Sequence, residues 1–135
     1  MSIGISGACR KITENEVAVQ YEYYSYNLNE ERFVNPERIA DGTIIIWKAG
    51  LVEPEIQSKK RRMPGGRKTL IEKRVAVEVD LDERLASGYV EIKNCSHAWR
   101  FNAEGIDVIA LRICRSLFEK YQIGGALPDM CGYDM

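Results

Sequence analysis

A single histidine, His97, occurs in 135 residues. The four cysteines, Cys9, Cys95, Cys114 and Cys131, lie far apart, with no C-x-x-C pair. A zinc site needs four ligands at workable spacing. This sequence offers no such cluster, so no metal is expected. The cysteines read instead as reduced, mostly buried thiols. In an exported protein they would admit a disulfide, whose pairing the sequence does not give.

The chain also lacks the common catalytic and nucleotide-binding signatures. It has no Gly-x-Gly-x-x-Gly, no Walker loop, no Gly-x-Ser-x-Gly and no His-Glu-x-x-His, and no cofactor is expected. Pro64-Gly65-Gly66-Arg67-Lys68-Thr69 brings Gly, Lys and Thr together but lacks P-loop spacing and a following helix. No run approaches the ~20 apolar residues of a membrane span. Residues 1–9 have neither a basic start nor an apolar run of ~7–15 residues, which argues against a secretory or lipoprotein signal. A cytoplasmic protein with no membrane partner is therefore expected. The net charge of −1 gives no whole-chain attraction to nucleic acid or anionic lipid.

What is present is ordinary globular composition, with 45% hydrophobic and 29% charged residues. The length suits a single domain over residues 1–135 with its own core. Periodicity divides it into a mostly β part (1–101), a helix (102–123) and a tail (124–135). The fold class expected is α+β: a mainly antiparallel sheet of five or six strands with one C-terminal helix on one face.

Residues 3–12 read as a weak strand and residues 17–26 as a strong one. In the latter, Val17, Val19, Tyr21 and Tyr23 fall on one face; Ala18, Gln20, Glu22, Tyr24 and Tyr26 fall on the other. Thr43-Ile44-Ile45-Ile46-Trp47 reads as an interior strand covered on both faces. Residues 49–58, broken by Pro54, read as an edge strand or loop. Residues 69–81 alternate Ile71, Val75, Val77, Val79 and Leu81 with Glu72, Arg74, Glu78 and Asp80, as in a strand with one wet face, Lys73 being the exception on the apolar side. A turn over 82–88 and a strand over 89–95 follow. In the helix, Asn102 is the expected N-cap. Ile106, Ile109, Ala110, Ile113, Leu117 and Tyr121 form the core stripe; Arg112, Arg115, Glu119 and Gln122 form the wet side. Gly124-Gly125 stops it.

Charge is unevenly placed. Residues 1–58 carry a net −4, residues 59–74 carry +7 and residues 75–135 carry −4. The cations Lys59, Lys60, Arg61, Arg62, Arg67, Lys68, Lys73 and Arg74 flank the Pro64-Gly65-Gly66 turn. Such a finger must be solvated or must meet an anion, because unpaired cations are not buried. A mobile solvated tip is the plain explanation. The functional ones are an acidic protein surface and nucleic-acid phosphate. Lys59-Lys60-Arg61-Arg62 also matches a nuclear-localisation pattern, a short and unspecific one.

Tyr21, Tyr23, Tyr24 and Tyr26 crowd one strand, and alternation puts two on each face. Cross-strand aromatic packing accounts for them most simply; an exposed pair would serve as interface anchors or as a base-stacking platform. Cys95-Ser96-His97 would bring a thiol and an imidazole to one side of a strand, as a Cys–His nucleophile pair needs, though a structural His at a strand end accounts for His97 more simply. Asp80 and Asp82, or Glu78 and Asp80, share strand faces and fit a solvated surface better than a Mg²⁺ site.

In size, acidity and lack of a catalytic set, the chain resembles bacterial immunity proteins that neutralise toxins, a likeness carried by no motif. The function expected is non-enzymatic docking to a protein partner, of inhibitor or toxin-immunity type. The contact residues expected are Tyr24, Tyr26, Lys60, Arg61, Arg62, Arg67 and Lys68. A nucleic-acid-binding module using residues 59–74 is the alternative. Open sheet edges also permit a homodimer.

Overall fold

The computed structural model describes residues 4–62, 64–66 and 68–134, with the Arg61 side chain left out. Among the described residues, two antiparallel sheets, two α-helices and two short 3-10 turns make up the fold. The strands are β1 (Ile5–Glu14), β2 (Ala18–Asn27), β3 (Gly42–Trp47), β4 (Glu55–Arg62), β5 (Lys68–Val75), β6 (Val90–Lys93) and β7 (Met130–Asp134). The helices are α1 (Leu81–Ala86) and α2 (Val108–Gly124). Five strands form one sheet in the order β6-β3-β2-β1-β7, and among the described residues β4 pairs only with β5. The α+β class and the C-terminal helix packed on one sheet face are as the sequence implied.

One face of the large sheet carries the core. Alternation in β2 buries Val19, Tyr21 and Tyr23, and the register sets them against Ile44 and Ile46 of β3, Val90 of β6 and Cys9 of β1. Helix α2 covers this face with Ile109, Ile113, Leu117 and Phe118, all at most 1% exposed. Each such side chain contributes roughly 1.5–3 kcal/mol through removal from water. The helix reaches the sheet closely because β1 has Gly7 there. A Cβ at Gly7 would lie 2.4 Å from the Ile109 side chain and 2.8 Å from the Tyr24 carbonyl oxygen. Gly42 has a similar reason, since its Cβ would fall 2.2 Å from the Tyr23 ring.

Several local expectations are corrected. β3 is interior but covered on one face only: Ile44 and Ile46 are buried, while Ile45 on the open face stays partly exposed. β5 ends at Val75, and both its faces are wet, because the β4–β5 pair leaves the sheet instead of joining it. Residues 81–86 form a helical turn capped by the Asp80 carboxylate, which accepts the Glu83 N–H at 3.1 Å. The cap of α2 is Asp107, not Asn102. The Asn102 side chain instead accepts from the Glu104 and Ile106 N–H groups, closing a tight turn before the helix. Gly125 at φ 85° ends α2, its N–H donating to the Tyr121 carbonyl. Beyond it the chain forms β7, an edge strand on β1. No helix among the described residues is long and apolar enough to cross a membrane.

Candidate docking surfaces

The β4–β5 ribbon carries the basic cluster. Its register runs from Glu55 opposite Val75 to Arg62 opposite Lys68. At ~3.4 Å per residue an eight-residue strand spans roughly 27 Å. Alternation sorts the side chains. Ile56, Ser58, Lys60, Arg62, Lys68, Leu70, Glu72 and Arg74 share one face. Glu55, Gln57, Lys59, Thr69, Ile71, Lys73 and Val75 share the other. Neither face is covered: Ile56, Leu70 and Ile71 are 49%, 57% and 39% exposed. On the second face Gln57, Lys59, Ile71 and Lys73 line a shallow hollow.

The electrostatics of this ribbon are unbalanced. Among the described residues, no ion pair within 4.0 Å involves a ribbon lysine or arginine. Arg62 and Lys68 stand directly opposite each other, an arrangement of like charges that weakens a strand pair. Arg67 lies outside the described residues, as does the Arg61 side chain.

The root of the ribbon is fixed to α2. Gln122 of α2 is fully buried, and its side-chain amide pairs with the backbone of Val77. The Val77 N–H donates to Gln122 Oε1 at 2.6 Å, and Gln122 Nε2 donates to the Val77 carbonyl at 3.1 Å. Arg74 Nε adds a bond to the Gln122 carbonyl at 2.6 Å. Gln122 thus corrects its expected place on the wet side. The i+4 row Ala110, Cys114, Phe118, Gln122 runs along the buried face of the helix, and that row is the signal that sequence reasoning missed.

Tyr24 and Tyr26 lie on the other face of the large sheet, away from α2. Their rings stack with centroids 6.4 Å apart and planes 18° from parallel. Arg38 lies over Tyr26 with its guanidinium carbon 3.7 Å from the ring centroid, a cation–π contact. Arg38 has φ 52°, and its guanidinium donates to the carbonyls of Val34 and Asn35. Asn35, only 1% exposed, pins this loop by donating to the Ser25 carbonyl and accepting from the Ile39 N–H. The result is a groove of about 270 Å³ lined by Ala8, Arg10, Glu22, Tyr24, Arg38 and Met130, among others, with Arg10 and Glu22 ion-paired. No described ribbon residue lines it. The two predicted sets of contact residues therefore belong to two surfaces, one on the open sheet face and one rooted at α2.

The Cys95–His97 pairing does not form. β6 ends at Lys93, so residues 95–97 lie in a turn and strand alternation does not apply. Cys95 is buried, 3.3 Å from Ser25 Oγ, while His97 Nδ1 lies 3.1 Å from Ser96 Oγ. Burial pushes the Cys95 thiol up, away from the thiolate a nucleophile needs. Cys95 belongs instead to a buried polar knot. The Tyr23 hydroxyl donates to Asp107 Oδ2 at 3.0 Å and accepts the Cys95 N–H at 2.9 Å, while Asp107 Oδ1 accepts the Ile109 N–H at 3.0 Å. Burial raises the Asp107 carboxyl above its ordinary value, and these hydrogen bonds oppose the rise. The described residues contain no group of three or more His, Cys, Asp or Glu able to hold a metal ion. Comparison with known proteins gives no match: no family model, curated protein or solved structure aligns with the chain.

Proposed function

We propose that this chain is a non-enzymatic docking protein, an inhibitor of toxin-immunity type in the cytoplasm, whose ribbon engages an acidic surface on a partner protein. The observation that carries this reading is the ribbon itself: a net +7 over residues 59–74, exposed on both faces, with no ion pair among its described cations. Charge left unpaired on a rooted but uncovered element suits long-range steering and rim contacts. A protein is favoured over nucleic acid because Ile56, Leu70 and Ile71 interleave with the cations and would supply apolar contact area. The acidic segments on either side would also repel phosphate. The stacked Tyr24–Tyr26 pair and its groove form a second contact surface of the same partner or another.

Affinity capture from the source cell tests this, comparing the wild type with a Lys60→Glu, Arg62→Glu, Lys68→Glu variant, with and without nuclease. A protein held by the wild type through nuclease treatment and lost by the variant supports the proposal. Equal capture by both overturns it.

One observation favours a second reading. A two-stranded ribbon is one of the two elements that fit the major groove of a DNA duplex. On this reading capture collapses with nuclease, and the purified chain binds duplex DNA or RNA at low salt and releases it as salt rises. No binding at low salt removes it.

A further inference from the structure

Cys9 and Cys131 stand directly opposite each other on β1 and β7. Both face α2 and are buried, 3% and 4% exposed. Two residues further along, the Lys11 N–H donates to the Asp129 carbonyl at 2.7 Å. The alternation of an antiparallel ladder then makes Cys9 and Cys131 a hydrogen-bonded pair, with Cα atoms ~5.5 Å apart. A disulfide spans ~4.4–6.8 Å between Cα atoms, so this spacing lies within its range, and closing the bond draws the two Cβ atoms slightly together. β7 is five residues long, and β1 is its only neighbour in the sheet among the described residues. An edge strand held on one side opens more readily than the interior ones. Opening it would bring Cys131 to solvent.

We propose that Cys9 and Cys131 form a reversible disulfide that fastens the edge strand β7 to β1 under oxidising conditions. The oxidant is a small-molecule disulfide such as oxidised glutathione. With β7 open, the Cys131 thiolate attacks one glutathione sulfur and expels glutathione thiolate, leaving a mixed disulfide on Cys131. Cys9 gives up its proton and attacks Cys131 Sγ, expelling the second glutathione. Two protein thiols are oxidised, one glutathione disulfide is reduced to two glutathione thiols, and the two protons pass to the leaving groups. In the docked strand the hydrogen bond from Cys9 is the main influence lowering the Cys131 thiol, and Ser116 and Lys120 add to it against burial; opening β7 removes these contacts, so what brings Cys131 to the oxidant first is its exposure on the open strand. Cys114, fully buried on α2 next to the pair, is the competing thiol. It has no ladder partner.

The test treats the full chain with oxidised glutathione, then unfolds it, alkylates free thiols and maps the peptides by mass. The expected product has lost the mass of two hydrogens and joins the Cys9 and Cys131 peptides. It forms equally in Cys114→Ser, and amide exchange across β7 slows by about tenfold or more relative to the reduced chain. A link through Cys114, a glutathione adduct that remains on Cys131, or full alkylation of both Cys9 and Cys131 overturns the proposal. Cys9→Ser should stop at the mixed disulfide. If that variant fails to fold, peptide mapping of the wild type still decides.

Discussion

The sheet-and-helix body and the β4–β5 ribbon are built from similar strands and held by different forces. In the body, Val19, Tyr21, Tyr23, Ile44 and Ile46 are fully buried beneath α2. Their partners come from distant parts of the sequence, so the strands exist because tertiary burial rewards them. The ribbon has eight cross-strand pairs and no cover. A two-stranded hairpin alone in water is marginal. This one persists through its short turn and through Gln122 and Arg74 at its root. Similar hydrogen-bond ladders therefore yield a rigid body in one case and a solvated arm in the other.

The sharpest way to break this contrast is to remove a core ring. Phe118→Ala should cost about 3–5 kcal/mol in urea denaturation and unfold the body and ribbon together. Leu70→Ala on the ribbon should stay within about 0.5 kcal/mol. A ribbon loss as large as the core loss would mean that the ribbon is covered.

Asp107→Ala should follow at about 3 kcal/mol, because it removes a helix cap and strands the buried Tyr23 hydroxyl. The intact carboxyl has its own pH signature. Its folded value lies above the unfolded 3.8, so its contribution is most favourable below that pH. The contribution declines as pH rises through the folded value. Asp107→Asn should flatten that decline in a melting-temperature series across the acidic range.

Gln122→Ala should cost about 1–2 kcal/mol. More tellingly, amide exchange should quicken at Val77 and along β5 while β2 and β3 stay protected. Uniform quickening would mean that the clamp serves the core and not the ribbon. The smallest stability effect belongs to the Lys60→Glu, Arg62→Glu, Lys68→Glu variant, within about 0.5 kcal/mol. Its association with a partner should nevertheless slow and lose its salt dependence.

Where burial is one-sided and periodic, the sequence shows it. The alternation in β2 separates Tyr21 and Tyr23 from Tyr24 and Tyr26, and the structure keeps that separation. The basic cluster around Pro64-Gly65-Gly66 was equally legible as a hairpin, since turn chemistry is local. The strand β7 was not. Met130-Cys131-Gly132-Tyr133-Asp134 has little intrinsic strand character and pairs only because β1 offers an edge. Residues 75–81 misled for the opposite reason. Their alternation continues past Val75, but the Gln122 amide takes the Val77 backbone groups and ends the ladder. The tyrosine groove needed Arg38, a residue whose left-handed backbone and position over Tyr26 depend on the buried Asn35. No spacing rule encodes that.

The placement of β7 also bears on how the chain is made. β1 meets β2 across a short turn, but its other side stays bare until β7, which follows every other element of the fold in chain order, has been made. Throughout that interval the unpaired backbone groups of this strand edge are available to neighbouring nascent chains.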